Sequence, residues 1–329
     1  MKAQIKGTGF SLPEKILSNS DLELMVDTSS KWIEERTGIL ERRIADSNTA
    51  TSDMCYEAAT MALERAGIDP LAIDLIIVAT ATPDMPVPST ACILQERLQA
   101  FNASAFDLAA GCTGFIYGLN VAEKFLLAPD VKNVLVVGGE TLSKIVDYQD
   151  RGTCIIFGDG AGAAVIGKGR KEYGILTSMM GADGRGADLL CIPAGGSRLP
   201  SSKETVENRQ HYLKMNGNEI FRFSTKKLIE ISNQLIESAG LTYSDIDLFV
   251  PHQANLRIIK TAMKHLDMPP EKVLININRF GNMSSACIPV ALSMAETEGR
   301  LKPGDLVLTV AFGAGLTYGG AIIRWGSDD

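Results

Sequence analysis

Short, near-continuous apolar runs alternate along this chain with longer segments whose apolar residues recur every three or four positions. The first pattern marks strands buried on both faces, and the second marks helices packed by one face. Residues 2–10 read as a first strand, followed by a turn at Leu12-Pro13-Glu14. Ser20-Asp21 caps a helix running towards Met25, and Thr28–Thr37 forms a second short helix with Trp32 and Arg36 one turn apart on one side. Thr51-Ser52-Asp53 starts a long amphipathic helix to Ala66, stopped by Gly67. Asp74–Thr80 is a buried strand, Pro83, Pro86 and Pro88 mark a loop, and Ser89-Thr90 caps a helix to about Leu98. The stretch Phe106–Leu119 joins an apolar run to a helix through Gly111-Cys112-Thr113-Gly114, and Phe115, Leu119, Ala122, Phe125 and Leu126 share the buried face of that helix. Lys132–Glu140 is another buried strand, and Gly158–Ile166 is a glycine-rich turn feeding a further one.

The layout then repeats. Ala66-Gly67…Ile73-Asp74-Leu75 recurs as Ala239-Gly240…Ile246-Asp247-Leu248 with the spacing kept, each copy having an amphipathic helix before it and a buried strand after it. Asn276–Ala286 leads into a helix as Ala109–Gly114 does, and Gly313–Arg324 echoes Gly158–Ile166. Two copies of this size predict a duplicated α/β unit, with residues 1–172 and 173–329 as halves packed about a pseudo-twofold axis and sheets covered on both faces. Between them, the polar, glycine- and serine-rich stretch Gly181–Gln210 reads as a surface excursion.

Composition narrows the partners. The 329 residues are 45% hydrophobic and 22% charged, which suits a chain with a sizeable core. A net charge of −7 argues against general binding to nucleic acid or to an anionic membrane, so an acidic partner needs a local basic patch. Six cysteines without a CxxC pair argue against a zinc site or a disulfide framework and fit a reduced, cytoplasmic setting. The first residues read as a strand and not as a signal peptide, and no apolar run approaches membrane-spanning length.

The candidate chemistry sits at the elbows. Cys112 lies at a helix N-terminus, where free N–H groups and the helix dipole favour a thiolate, although a buried, inert cysteine fits the same turn. The pseudo-twofold brings this elbow to face the one that carries Asn282. Of the three histidines, His211 falls in the polar excursion and His265 on a lysine-bearing helix. His252 ends a buried strand, a common place for site residues in α/β folds, though taken alone it reads better as a satisfied core histidine.

Together these motifs resemble the β-ketoacyl-acyl carrier protein synthase III family. The resemblance covers nearly the whole chain through Trp32…Arg36-Thr-Gly, Pro88-Ser-Thr-Ala-Cys92, Ala110-Gly-Cys-Thr-Gly-Phe115, Asp150-Arg-Gly-Thr153, Phe157-Gly-Asp-Gly-Ala-Gly162, Met215-Asn-Gly-Asn-Glu-Ile-Phe221, Pro251-His-Gln-Ala-Asn-Leu-Arg257, Gly281-Asn282 and Phe312-Gly-Ala-Gly315. It implies the thiolase-like fold, a duplicated five-layer αβαβα arrangement. It implies a catalytic set of Cys112, His252 and Asn282 that takes an acyl group from acyl-CoA onto the cysteine and condenses it with malonyl-acyl carrier protein, initiating fatty acid synthesis without metal or organic cofactor. An oxyanion hole from the backbone N–H groups of Cys112 and Ala314 is implied too, with Ala314 standing where the family has glycine. CoA binding falls to Trp32, Arg36 and Arg151, with Asn218 and Asn255 nearer the pantetheine. The acyl pocket falls to Val87, Leu142 and Phe157, and valine at position 87, where acetyl-preferring members commonly carry phenylalanine, predicts room for longer primers. Arg222, Arg257 and Lys264 fall on the carrier-protein docking surface, and the family's dimer implies a homodimer in which Val87 reaches the partner's pocket. The same site would also suit a condensing enzyme of secondary metabolism. Asn282 disfavours thiolases, which use a second cysteine there, and elongating synthases, which use Cys-His-His. The intact catalytic set speaks against an inactive scaffold subunit.

Overall fold

The computed structural model describes residues 2–169 and 172–326. In chain order, residues 2–169 form β1 (Lys2–Ser11), β2 (Ile16–Ser18), α1 (Asn19–Glu23), α2 (Ser30–Thr37), β3 (Glu41–Arg43), α3 (Thr51–Ala66), β4 (Leu75–Ala79), α4 (Thr90–Arg97), β5 (Ser104–Leu108), α5 (Gly114–Phe125), β6 (Asn133–Glu140), α6 (Arg151–Cys154) and β7 (Gly160–Gly169). Beyond them come β8 (Gly174–Ala182), β9 (Leu190–Cys191), α7 (Lys203–Glu207), β10 (Lys214–Met215), α8 (Gly217–Ala239), β11 (Leu248–Pro251), α9 (Leu256–His265), α10 (Ile277–Phe280), α11 (Cys287–Thr297), β12 (Leu306–Gly313) and β13 (Thr317–Arg324).

Two sheets carry the fold, one ordered β1-β7-β6-β4-β5 and the other β8-β13-β12-β11. In each, the first two junctions are antiparallel and the next is parallel. A single parallel bridge, Phe249 to Val273, stands where the second sheet would have its counterpart of β5. The sequence repeat is therefore a repeat of topology, and its residues do the same work twice. Gly67 and Gly240 end α3 and α8 in the left-handed conformation, at φ +62° and +65°. The Asp74 carboxylate accepts from the Asn133 N–H at 2.9 Å, and Asp247 accepts from the Leu306 N–H at 2.8 Å, each fixing the start of the neighbouring strand.

Helices separate and cover the sheets in five layers. α3 and α4 pack on the outer face of the first sheet through Ala58, Ala62, Ala91 and Leu94. α8 and α9 cover the second through Leu228, Ile231, Ile258 and Ile259. Between the sheets lie α5 and α11, whose Phe115, Ile116 and Leu119 meet Ile288, Ala291 and Leu292. A helix enclosed on all sides is apolar all round, which explains the unbroken buried run Cys287–Ser293.

Some expectations differ in detail. Phe125 is 44% exposed, because α5 ends there and its last turn leaves the core. Ser18, not Ser20, caps the first helix, since its hydroxyl accepts from the Asp21 N–H while Asp21 bonds back to Ser18. The stretch 181–210 is more than a surface excursion. It finishes β8, places β9 against β10 and buries Leu190, Ala194 and Thr205. The apolar Leu189-Leu190-Cys191-Ile192 inside that polar stretch was the signal for it.

Candidate active site

The two elbows have one backbone shape. Gly111 takes φ +51° and Ser284 φ +47°, each leading a short 3-10 turn. Gly114 then opens α5 at (−53°, −44°), and Cys287 opens α11 at (−54°, −51°). In this register the residue opposite Cys112 is Ser285, and Asn282 precedes the left-handed position by two. Glycine is required at 111 on two counts, its positive φ and the Ala314 N atom 3.0 Å from where a Cβ would stand. A Cβ on Gly138 would lie 2.3 Å from the Ser285 carbonyl oxygen, so the second elbow rests directly on β6.

Cys112, His252 and Asn282 come together at the closed end of one cavity of about 230 Å³. Cys112 is 9% exposed, and burial pushes its thiol up to about 12. Hydrogen bonds from Ser284 and Asn282 oppose this without reversing it. Burial of the sulfur thus favours the thiol, against the thiolate expected from the helix N-terminus alone. The His252 N–H donates to the Val310 carbonyl at 2.9 Å, continuing β11, and the ring stands edge-on to Phe312 with centroids 5.3 Å apart. Burial lowers its pKa to about 3, so the imidazole is neutral at pH 7. Both ring nitrogens are buried without a hydrogen-bond partner, so His252 is not a satisfied core histidine.

Asn282 is gripped by its backbone. Its N–H donates to the Ile156 carbonyl at 2.9 Å and its carbonyl accepts from the Gly158 N–H at 3.0 Å. The Ser284 N–H donates to Oδ1 at 2.8 Å. A backbone N–H can only donate, so the atom facing it is the oxygen, which leaves the Nδ2 donors for the cavity.

Ala314 packs against Gly111, and a Cβ on the adjoining Gly313 would lie 2.6 Å from the Cys112 nitrogen. The Cys112 and Ala314 backbones are therefore neighbours. The left-handed angle in this loop falls on Gly315, at φ +137°, and not on Ala314, so alanine is accommodated. Thr317, which the sequence reading missed, ties the loop down. Its hydroxyl lies 2.9 Å from the Ala110 carbonyl, 3.0 Å from the Thr113 hydroxyl and 3.0 Å from the Ala314 carbonyl.

At the mouth, Trp32 has the Arg36 guanidinium carbon 5.7 Å and that of Arg151 5.1 Å from its ring centre. Arg151 is oriented by a 2.9 Å bond to the Asp27 carbonyl. Asn255 lines the cavity, caps α9 and donates to the Arg36 carbonyl at 3.0 Å, tying α9 to α2. Asn218 stands outside the main cavity, in an adjoining depression with Arg36, Arg222 and Arg257. Phe157 lines the cavity, while Leu142 is buried behind it in the same apolar cluster. Val87 is 82% exposed and contributes nothing to the cavity of its own chain. Arg222 pairs with Glu219 at 2.9 Å on α8, Arg257 of α9 lies over Phe221 of α8, and Lys264 is exposed further along α9. Leu190, Met215 and Ser224 also line the cavity; only the sheet pairing of β9 with β10 brings the first two there.

A buried cysteine and an asparagine at the facing elbows of a duplicated α/β fold, with a neutral histidine at a strand end beside them, define a condensing enzyme of the thiolase type. Sequence models described as 3-oxoacyl-[acyl-carrier-protein] synthase III match residues 106–184, and as its C-terminal part residues 236–325. The β-ketoacyl-[acyl-carrier-protein] synthase III of Syntrophomonas wolfei is 64% identical over 328 residues, covering 100% of this chain and 99% of that one. The crystal structure of the synthase III from Thermus thermophilus superposes with a TM-score of 0.91 at 45% identity, covering 98% of this chain and 99% of that one. A priming β-ketosynthase of the R1128 polyketide pathway superposes with a TM-score of 0.91 at 35% identity, covering 100% of this chain and 97% of that one. The chain belongs to the β-ketoacyl-[acyl-carrier-protein] synthase III family, and it is an acyltransferase.

Proposed function

We propose that the chain condenses an acyl-CoA primer with malonyl-acyl carrier protein, releasing CoA and CO₂ and initiating fatty acid synthesis through an acyl-Cys112 intermediate. The observation that carries this reading is the single cavity holding the buried thiol, the unpartnered imidazole and the outward-facing carboxamide at its closed end, with Trp32 and Arg36 at its mouth. In the first stage the Cys112 sulfur attacks the thioester, and its proton leaves with the CoA thiol. Both His252 ring nitrogens are without a hydrogen-bond partner, so the neutral ring has one N–H to donate and one nitrogen to accept. The Cys112 and Ala314 N–H groups receive the tetrahedral oxyanion. In the second stage malonyl thioester loses CO₂, and charge moves onto the thioester oxygen. One His252 N–H and the Asn282 Nδ2 donate to it, and the enolate carbon attacks the acyl group, returning the thiolate, which regains a proton. The thioester is its own electron sink, so the reaction uses no metal or organic cofactor.

Trp32 offers a stacking face for adenine, and Arg36 and Arg151 offer phosphate contacts. The acidic carrier protein docks by the depression that Arg222, Arg257 and Arg36 share beside the mouth, with Lys264 extending the face. A homodimer forms along β5. That strand is an unpaired edge with half-buried Phe106 and Leu108, and Phe101 nearby is 60% exposed. Pairing two copies there carries each exposed Val87 loop towards the partner's cavity, where it helps set primer length. Six unpaired cysteines suit a cytoplasmic setting.

The test is intact-protein mass after mixing with a panel of acyl-CoAs, followed by malonyl-carrier protein. A gain of one acyl group, absent in Cys112→Ala and discharged as 3-oxoacyl product, is expected, with primers longer than acetyl accepted. No adduct from any acyl-CoA defeats the reading.

A further inference from the structure

One buried acid takes no part in the steps above. Glu140 ends β6 with no exposed surface. Its Oε2 accepts from the Ala81 N–H at 3.0 Å and the Thr82 hydroxyl at 2.8 Å, with the Thr80 hydroxyl at 3.3 Å. Its Oε1 lies 2.9 Å from the hydroxyl of Ser285, the residue opposite Cys112 in the other elbow. The same hydroxyl lies 2.8 Å from the Ala79 carbonyl oxygen. A hydroxyl has one proton, and a carbonyl can only accept. Both contacts are satisfied together only when Oε1 carries a proton, gives it to Ser285, and Ser285 gives its own to Ala79. Burial favours the same protonated form.

What this chain holds in place is the Asn282 elbow. Ser284 sits at φ +47°, a left-handed angle that a serine keeps only where its surroundings impose it. Its N–H is the group that turns Asn282. Glu140 on β6 thus reaches the elbow at Ser285, the neighbour of Ser284, and the elbow presents the carboxamide.

We propose that Glu140, held as a neutral carboxylic acid, is a positioning residue for the decarboxylation step, setting Asn282 through Ser285 and Ser284. The inference rests on the condensing reaction proposed above. It is tested by measuring two half-reactions separately, acyl transfer from acyl-CoA to Cys112 and CO₂ release from malonyl-carrier protein, on the full-length protein. Glutamine matches a neutral acid, donating from Nε2 to Ser285 and accepting at Oε1. Glu140→Gln is expected to keep both half-reactions within about fivefold of the parent, while Glu140→Ala lowers CO₂ release about a hundredfold and leaves acyl transfer within about fivefold. Ser285→Ala, which keeps Glu140 and removes only the link, is expected to lower CO₂ release at least about tenfold with acyl transfer unchanged; it carries the test if Glu140→Ala does not fold. Loss in Glu140→Gln equal to that in Glu140→Ala, or an equal fall of both half-reactions in Ser285→Ala, overturns the proposal. Failure of the parent protein to form an acyl adduct or release CO₂ refutes the condensing reaction itself, a distinguishable result.

Discussion

Replacing Asn282 by aspartate separates geometry from charge at this site. The side chain is 5% exposed, and its Oδ1 is held by the Ser284 N–H at 2.8 Å, a bond that aspartate keeps. The carboxylate therefore stays in place, and its second oxygen replaces the Nδ2 donor. Loss of one oxyanion donor costs about 10²–10³ in rate, or about 3–4 kcal/mol. Repulsion between that carboxylate and an enolate roughly 4 Å away adds about 4 kcal/mol at an effective dielectric constant near 20. The sum, about 7–8 kcal/mol, corresponds to about a 10⁵–10⁶-fold loss of decarboxylation with the group ionised. Burial raises the pKa of an aspartate placed here, so the neutral form, which has an O–H to donate, gains population as pH falls. CO₂ release by Asn282→Asp is thus expected to rise as pH is lowered from 8 to 5.5. Asn282→Ala, which has no donor in any state, stays about 10²–10³-fold down at all pH values. The assay is release of labelled CO₂ from malonyl-carrier protein, with acyl transfer to Cys112 followed by mass as the control. Near-parent CO₂ release by Asn282→Asp at pH 8, or a matching fall in acyl transfer for both variants, refutes the reasoning.

Trp32→Ala removes the stacking face at the mouth and is expected to raise the KM for acyl-CoA about tenfold or more, with CO₂ release from malonyl-carrier protein unchanged; steady-state kinetics with each substrate varied checks this. Arg257→Glu reverses a charge beside the mouth and is expected to lower kcat/KM for malonyl-carrier protein severalfold at low salt, with the difference shrinking as ionic strength rises. If two copies pair along β5 as proposed, Ala105→Pro on that edge removes a ladder hydrogen bond, and sedimentation is expected to give dimer for the parent and monomer for the variant. Arg42 is fully buried and donates to the Leu17 and Ile155 carbonyls at 3.0 and 2.7 Å and to Asn19 Oδ1 at 3.0 Å. Arg42→Ala leaves those acceptors unpaired around a void and is expected to destabilise the fold by about 3–5 kcal/mol, read by urea unfolding.

The duplication was legible in the chain because each of its markers is local. A left-handed glycine ends a helix, and an aspartate clamps the next strand, wherever the surrounding segment lies. Both elbows were legible for the same reason, as was the strand end that carries His252. Protonation was not. The dipole argument for a Cys112 thiolate uses only the turn, whereas the pKa of about 12 arises from two halves closing over the sulfur. The neutral state of His252 has the same origin. Which partners a side chain meets across the interface was equally hidden. Glu140 reads in the chain as the last residue of a buried strand, and its bond to Ser285 spans 145 positions. Ala314 looked like a departure from glycine until the backbone put the demanding angle on Gly315. Local pattern determined the elements and the placement of the reactive groups at their ends. Tertiary closure decided which groups lose water and which face each other, because desolvation and long-range hydrogen bonding depend on what is folded over a residue and not on its neighbours in sequence.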